Sequence, residues 1–238
     1  MQLPSTFFGW VRFLLEQYGP LFLSGVGVTL IVAITGTLAG FLLGLLVAIL
    51  RTIPTSPKDP AVKRVPLKIL SWLLGVYIEV FRGTPMIVQA MVIYYGGMTV
   101  GVRLPVLTAA ILIVSVNTGA YMAEIIRGGI MAVDEGQNEA GRSLGLSFAQ
   151  TMIYIIIPQA LKNVLPALAN EFIVLLKETS VACYVAVNDL TKGGEIIRSQ
   201  TYIQAMPLLI VAALYLLMVV FFSHLVSKLE RRLRSSDH

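Results

Sequence analysis

The sequence predicts an all-α integral membrane protein with five transmembrane helices, and two observations support this fold class. Of the 238 residues, 56% are hydrophobic and only 13% are charged, about half the charged share of a soluble domain, and the mean hydropathy is +0.80. Apolar windows long enough to cross about 30 Å of hydrocarbon occur at 21–50, 67–100, 104–126, 149–177 and 205–227. We therefore interpret residues 1–238 as a single transmembrane domain.

Basic residues beside the first and last windows predict the orientation of the chain. They are Arg51, Lys58, Lys63, Arg64 and Lys68 after the first window, and Lys228, Arg231, Arg232 and Arg234 in the tail. Short loops rich in Lys and Arg stay in the cytoplasm, so five spans place the N-terminus outside and the C-terminus in the cytoplasm. The net charge of +5 is then an orientation signal. Because the basic residues lie beside apolar windows, we expect them to contact membrane lipid and not nucleic acid.

The N-terminal residues 1–19 are expected to form an amphipathic segment that lies on one membrane face. Arg12, Glu16, Gly19 and Pro20 interrupt its apolar run, which also argues against a cleaved signal. In the first window Gly36, Gly40 and Gly44 recur at intervals of four and are followed by Ala48. This small-residue stripe predicts a close helix seam. The basic, Pro-rich stretch Thr52–Pro66 is expected to be a turn or short linker.

Two charged residues, Glu79 and Arg82, lie far inside the second window. Glu79 follows Lys68 by three helical turns, which places it about 16 Å into the bilayer, near the midplane. Charges at that depth usually face a protein interior or a wet cavity. Two interpretations stay open: the residues neutralise each other at i,i+3, or they line a solute path. Gly83–Thr84–Pro85 can break the helix and expose backbone groups, which favours a path.

The third window carries a polar stripe at the same predicted depth. Asn117, Tyr121 and Glu124 fall on one helix face, and Arg127 is expected to close the span before Gly128 and Gly129. In the fourth window Pro158 and Pro166 predict kinks. The depth of Lys177–Ser180 is open, so Glu178 either joins the polar layer or lies at a solvated end.

The remaining stretches offer less chemistry. The segment Asn188–Gln200 is expected to be a turn, and Met206–Leu225 an uncharged scaffold span that ends near an interfacial His224. The single cysteine, Cys183, allows neither an internal disulfide nor a cysteine-cluster metal site, and we predict no metal.

One polar interruption, 134–150, divides the apolar chain. Asp134 with Gln137 fits a capping box that opens a short helix, and Gly145 is suited to close it in the left-handed conformation. Ser147 with Gln150 repeats the capping pattern before the next apolar run. A helix of roughly 16 Å is too short to cross a bilayer. We therefore expect it to lie outside the membrane as a docking element.

The sequence contains no phosphate-binding GxxxxGK[ST] loop, HExxH motif or nucleophile elbow. The chain is therefore not expected to be an enzyme. A secondary transporter or a channel would also carry an intramembrane polar layer. A secondary transporter usually shows internal repeats, which are not evident here, and neither class has a use for an exposed docking helix.

The 139–158 stretch resembles the EAA loop of ABC-importer permeases. Glu139, Ala140 and Gly141 are followed by Gly145 and then by Ile157–Pro158, with Gly141 and Ile157 in place of the family's Ala and Leu. Four further stretches resemble the polar amino-acid branch of that family: EVFRGTP at 79–85, NTGAYMAEIIRGGI at 117–130, GQNEAGRSLGLS at 136–147 and LLKETS at 175–180.

The resemblance implies a type I ABC importer permease of a prokaryotic plasma (inner) membrane, with five transmembrane helices and a cytoplasmic coupling helix. It implies two ATP-binding-cassette ATPase subunits, which hold ATP and Mg²⁺, so that this chain has no cofactor of its own. It also implies a second permease subunit, identical or paralogous, and an extracellular solute-binding protein. The amino-acid substrate is expected to be Arg, Lys or His in preference to Gln or Glu. Coupling is assigned to Glu139, Ala140, Gly141, Arg142 and Gly145, and the substrate path to Glu79, Arg82, Asn117, Tyr121, Glu124 and Glu178.

Overall fold

The structure is a computed structural model that describes residues 6–53, 56 and 60–234. All the regular elements of these residues are helical. They are α1 (Phe7–Thr52), α2 (Ala61–Gly83), α3 (Met86–Thr99), α4 (Val106–Met131), α5 (Glu135–Ser143), α6 (Phe148–Thr151), a π-helical turn (Met152–Ile156), α7 (Ile157–Glu178), a 3₁₀ helix (Thr179–Val185), α8 (Leu190–Thr201) and α9 (Met206–Arg234).

Four helical segments are long and apolar enough to cross a membrane, and a broken pair of helices adds a fifth candidate. The four are Phe7–Thr52, Val106–Met131, Phe148–Val185 and Met206–Lys228. The broken pair is α2 with α3, interrupted where Gly83–Thr84–Pro85 predicts a break. Thr84 is extended, with φ −122° and ψ 148°, as expected for a residue before proline. The four segments and the broken pair together agree with the five spans predicted from the sequence.

The first helix shows no boundary at Gly19, where the sequence suggested a separate surface segment. α1 runs unbroken from Phe7 to Thr52 with Pro20 inside it. A proline removes one backbone hydrogen bond and bends a helix without necessarily ending it. Leu14 and Phe22, on either side of Pro20, are both buried in one hydrophobic cluster, and this packing stabilises the continuous helix. The surface location of residues 1–19 stays a prediction, and residues 1–5 lie outside the described part.

The linker after α1 is shorter than predicted. α2 already begins at Ala61, so Pro66 lies in its second turn and not in a linker. One missing hydrogen bond near a helix start is tolerated because the following apolar residues pack. The predicted linker residues 54, 55 and 57–59, which include Lys58, lie outside the described residues, as do the side chains of Arg232 and Arg234 in the tail.

The chain divides into two compact units. The first comprises the described residues of Met1–Gly36 together with Met86–Val114 and Phe172–Leu225. One of its hydrophobic clusters contains Val114 and Leu175, and another contains Phe22 and Ile197. The second unit comprises the described residues of Thr37–Pro85, Ser115–Glu171 and Val226–His238. One of its clusters is built by Met122, Ile126 and Ile156, the other by Val47 and Ile78.

The glycine stripe of α1 is a close helix seam, as predicted. In the second unit a Cβ on Gly44 would lie 2.7 Å from the Cβ of Met122 and 2.9 Å from the carbonyl oxygen of Gly119. A Cβ on Gly40 would lie 2.9 Å from the Cβ of Thr118. In the first unit a Cβ on Gly36 would lie 2.5 Å from a Val114 methyl. The glycines therefore allow the backbones of α1 and α4 to approach closely.

Two element boundaries differ from the sequence prediction. α4 continues through Gly128 and Gly129 to Met131. Gly129 lies so close to α7 that a Cβ there would meet a Val164 methyl, and this packing stabilises the helix across the two glycines. The predicted turn at 188–200 is mostly the helix α8. Its buried residues recur at helical spacing, and they are Leu190, Gly193, Gly194 and Ile197.

Asp189 begins α8 from a buried position in the first unit. Its side chain is 1% exposed and accepts a hydrogen bond from the Lys192 backbone N–H at 2.8 Å. The Tyr215 hydroxyl lies 3.4 Å from its other carboxylate oxygen and 3.1 Å from the Thr191 hydroxyl. Burial raises the pKa of Asp189 to about 6, although these hydrogen bonds oppose the change.

This burial predicts a pH-dependent stability. The folded chain holds the Asp189 proton more tightly than the unfolded chain does. The contribution of this proton to the free energy of unfolding is therefore complete below pH about 4 and is lost as the pH rises through about 6. Asp189→Asn keeps a capping oxygen and removes the charge. We expect it to flatten the slope of thermal stability between pH 4 and 6 and to stabilise the protein at pH 7 by on the order of 1 to 3 kcal/mol.

The measurement is thermal unfolding of the detergent-purified protein at several pH values. Glu195→Gln, which removes a more exposed carboxylate from the same helix, serves as the matched control and should keep the wild-type slope. An unchanged slope in Asp189→Asn would contradict the assignment.

Candidate functional site

The predicted docking element is the helix α5 in the second unit. The Asp134 side chain accepts a hydrogen bond from the Gly136 backbone N–H at 2.8 Å, which satisfies one orphan donor of the first turn. The predicted return bond from Gln137 is not seen, because the Gln137 side-chain oxygen instead lies 3.4 Å from the Gln159 side-chain nitrogen. The Asp134 cap is thus confirmed, whereas the complete capping box is wrong.

Gly145 ends α5 in the left-handed conformation, as predicted. Its φ is +80°, and its N–H donates to the Arg142 carbonyl at 3.0 Å. The N–H of Leu146 donates to the Gly141 carbonyl at 3.1 Å. These two bonds form a Schellman motif, which favours glycine at its left-handed position. The chain direction after α5 is thereby fixed.

The next turn opens with the predicted capping box and continues into a distorted helix. The Ser147 hydroxyl accepts from the Gln150 N–H at 3.3 Å, and the Gln150 side chain accepts from the Ser147 N–H at 2.9 Å. After α6 the helix takes one π turn, in which the Ile157 N–H donates to the Met152 carbonyl five residues earlier. Because Pro158 has no N–H, the predicted kink is accommodated here by a change of hydrogen-bond register.

Gly141 packs α5 against this distorted segment. The residue is buried, and a Cβ on it would lie 2.7 Å from the Thr151 methyl and 3.0 Å from the Ile155 Cδ1. The close approach explains the absence of a larger side chain at this position. Gly141 therefore positions α5 and does not itself present a docking surface.

The opposite side of α5 is exposed. Glu139, Ala140 and Arg142 are all exposed, and the side chain of Leu144 is 80% exposed. The described residues give neither Glu139 nor Arg142 an ion-pair partner. This side of α5 is therefore accessible to solvent and to a partner.

The polar layer predicted from the second and third windows is partly assembled in the second unit. Asn117 on α4 is buried and donates from its side-chain amide to the Phe81 carbonyl on α2 at 3.3 Å. The Arg82 guanidinium lies 5.5 Å from the centre of the Tyr121 ring, within the range of a cation–π contact. The structure thus brings Arg82, Asn117 and Tyr121 to one α2–α4 contact.

Glu79 and Arg82 do not form the predicted ion pair. No salt bridge joins them among the described residues, and both side chains are exposed on the isolated chain. Arg82 is engaged by Tyr121 instead, while Glu79 lines a groove on α2. The interpretation in which the two charges neutralise each other is therefore wrong.

Glu124 belongs to an arginine cluster that the sequence analysis missed. Its carboxylate lies 2.6 Å from the Arg51 Nη1 and 2.8 Å from the Arg127 Nη2. The side chains of Glu124 and Arg51 are only 20% and 24% exposed. Arg51 is 73 residues from Glu124 in sequence, so spacing gave no signal for this pair. With its charge engaged twice, Glu124 is less available to a substrate than Glu79 is.

The last predicted path residue, Glu178, lies in the first unit. It ends α7, directly before the 3₁₀ helix Thr179–Val185, and its role in a path stays a prediction. Across the described ranges, no group of three or more His, Cys, Asp or Glu side chains is placed to hold a metal ion.

A model of the family described as "Binding-protein-dependent transport system inner membrane component" matches residues 60–235. The chain belongs to this family. This permease is therefore an integral inner-membrane component of transport and not a catalytic subunit.

Curated relatives cover almost the whole permease. It is 32% identical over 219 residues to the arginine transport system permease protein ArtQ of Bacillus subtilis (strain 168), with 92% of this chain and 94% of that protein covered. It is 34% identical over 221 residues to the glutamine transport system permease protein GlnP of Escherichia coli (strain K12), with 90% and 94% covered. Both relatives are named as amino-acid transport permeases.

Solved structures share the fold. A crystal structure of an amino acid ABC transporter with histidines has a chain with 44% identity and a TM-score of 0.81, covering 96% of the permease and 99% of that chain. An inward-facing MetNI methionine ABC transporter has a chain with 23% identity and a TM-score of 0.72, covering 90% and 96%; this second likeness bears on the fold alone. The permease has the type I importer fold.

Proposed function

We propose that this permease forms the translocation path of an ATP-driven amino-acid importer and docks a separate ATPase subunit through α5. The geometry of α5 carries the proposal. The helix is fixed at its start by Asp134, at its end by Gly145 and on its inner side by Gly141, and its outer side is exposed. A helix held at three points can transmit a displacement to the span that follows it without absorbing the motion itself.

In the proposed assembly two such permeases, identical or paralogous, pair with two ATPase subunits that bind ATP and Mg²⁺. An extracellular binding protein delivers the amino acid. Closure of the ATPase pair draws the two α5 helices together, and the spans change to an outward-facing arrangement. ATP hydrolysis returns the spans to their starting arrangement. Glu139, Ala140, Arg142 and Leu144 contact the ATPase, and α5 and the C-terminus are cytoplasmic while the N-terminus is outside. The basic ends of α1 and α9 support this orientation.

We place the substrate path along α2 and α4, at Glu79, Arg82, Asn117 and Tyr121. Arg82 suits the carboxylate of an amino acid and Glu79 an ammonium group or a cationic side chain. The absence of an ion pair between these two residues supports this assignment, because an unpaired carboxylate favours a cationic ligand. The proposal therefore favours Arg, Lys or His over Gln or Glu.

The test is ATP hydrolysis by the reconstituted permease, ATPase and binding protein in the presence of each candidate amino acid. Cationic amino acids are expected to stimulate hydrolysis more strongly than Gln does. If Glu79 binds the cationic side chain, Glu79→Gln should lower the stimulation by Arg at least tenfold and change that by Gln much less, because Gln has no side-chain charge; a similar loss for both amino acids would place Glu79 at the α-ammonium group instead. Glu195→Gln, outside the proposed path, is the matched control. Equal stimulation in Glu79→Gln and wild type would remove Glu79 from the path.

A further inference from the structure

A groove of about 550 Å³ runs along α2 in the second unit. One helix face of α2 forms a wall, since its lining residues recur at i, i+3, i+4, i+7 and i+8. The end of α1 supplies the rest. Its lining includes Arg51 of α1 and Lys68, Ser71, Trp72, Gly75 and Val76 of α2.

The part of the groove nearest the start of α2 is basic. Lys68 and Arg51 line it, and the Arg51 Nη2 lies 3.9 Å from a Cβ placed on Gly75. Arg51 shares Glu124 with Arg127, so these three groups together keep a charge of about +1. The sequence from 61 to 78 contains no Asp or Glu. Glu79 lines the far end, about 16 Å along the helix from Lys68. The near end therefore attracts an anion.

The same groove has an apolar outer wall. Trp72 is 66% exposed and Val76 is 38% exposed, although both lie in a candidate span. Trp72 follows Lys68 by one helical turn, and a tryptophan beside a basic residue at the edge of an apolar window is typical of the membrane interface. A soluble anion would leave this apolar wall uncovered, whereas an acyl chain would cover it.

We propose that the groove binds an anionic phospholipid, with the phosphate at Lys68, Arg51 and Ser71 and an acyl chain along Trp72 and Val76. Basic pockets beside spans on the cytoplasmic side match the anionic lipids of that leaflet. The placement rests on the proposed orientation of the basic ends. It goes beyond the transport function and requires neither ATP nor substrate.

The test uses the purified permease–ATPase complex after delipidation. Dioleoyl-phosphatidylglycerol or dioleoyl-phosphatidylcholine is added, and retained lipid is counted by native mass spectrometry. We expect stronger retention of the anionic lipid in the wild type. Lys68→Gln should weaken this retention about fivefold, as expected for one cation near a lipid surface. Gly75→Leu should abolish the preference without changing any charge, because the new side chain would point toward Arg51, whose Nη2 lies 3.9 Å from a Cβ at this position.

Two matched variants serve as controls. Lys228→Gln removes an exposed lysine that does not line the groove, and Gly19→Leu adds the same side chain to α1 in open space. Both should retain the anionic lipid like the wild type. Equal retention of the two lipids by the wild type, or unchanged retention in both groove variants, would overturn the proposal. Displacement of the lipid by millimolar inorganic phosphate would also overturn it and assign the groove to a free anion. ATP-driven uptake, measured in parallel, reports on the transport proposal separately.

Discussion

Replacing Gly145 by Val is expected to reduce substrate-stimulated ATP hydrolysis about tenfold or more. The position has a φ of +80°, where a side chain costs roughly 1–2 kcal/mol and a β-branched one suffers most. About 1.4 kcal/mol is a factor of ten in any equilibrium that the motif controls. Because a Cβ here would meet nothing within 4 Å, the effect is one of backbone conformation and not of a steric clash.

Gly145→Asn is the matched control, since asparagine adopts the left-handed conformation more readily than other non-glycine residues. ATP hydrolysis and co-purification of the ATPase should be nearly normal in Gly145→Asn and impaired in Gly145→Val. If both variants hydrolyse ATP like the wild type, the left-handed turn is not needed for coupling.

Glu124→Gln is expected to lower the free energy of unfolding by about 1 to 3 kcal/mol, the cost of removing one partner from a largely buried charge cluster. The change leaves Arg51 and Arg127 close together without their shared counter-charge. Thermal unfolding of the purified permease in detergent measures the loss.

Two comparisons isolate the cause. The double variant Arg51→Gln/Glu124→Gln should be less destabilised than Glu124→Gln alone, because it no longer holds two unpaired arginines together. Glu16→Gln breaks an exposed pair with Arg12 and should change stability little. Arg51→Gln alone completes the cycle, and a double variant whose loss of stability equals the sum of the two single losses would show that Arg51 and Glu124 do not stabilise each other.

Local chemistry allowed the helix α5 and its two ends to be predicted. Asp134, Gly145 and the Ser147–Gln150 pair act over at most a few residues, so their caps are visible in the sequence and recur in the structure. The glycine stripe of α1 and the break at 83–85 were visible for the same reason. Each is a short pattern with one physical meaning.

Features that depend on tertiary packing were not visible. The Arg51–Glu124 pair joins residues 73 positions apart, and the continuity of α1 past Pro20 depends on buried Leu14 and Phe22. α8 was missed because its glycines suggested a turn, whereas they serve as close contacts: a Cβ on Gly194 would meet a Val211 methyl at 2.6 Å. Residue type alone does not distinguish these two uses of glycine.

The most direct test of the central claim is uptake of a labelled amino acid into proteoliposomes that contain the permease, its ATPase and the binding protein. We predict accumulation that requires the ATPase and ATP on the α5 side and that is lost in Gly145→Val. Accumulation without the ATPase, driven by an ion gradient alone, would contradict it and indicate a secondary transporter.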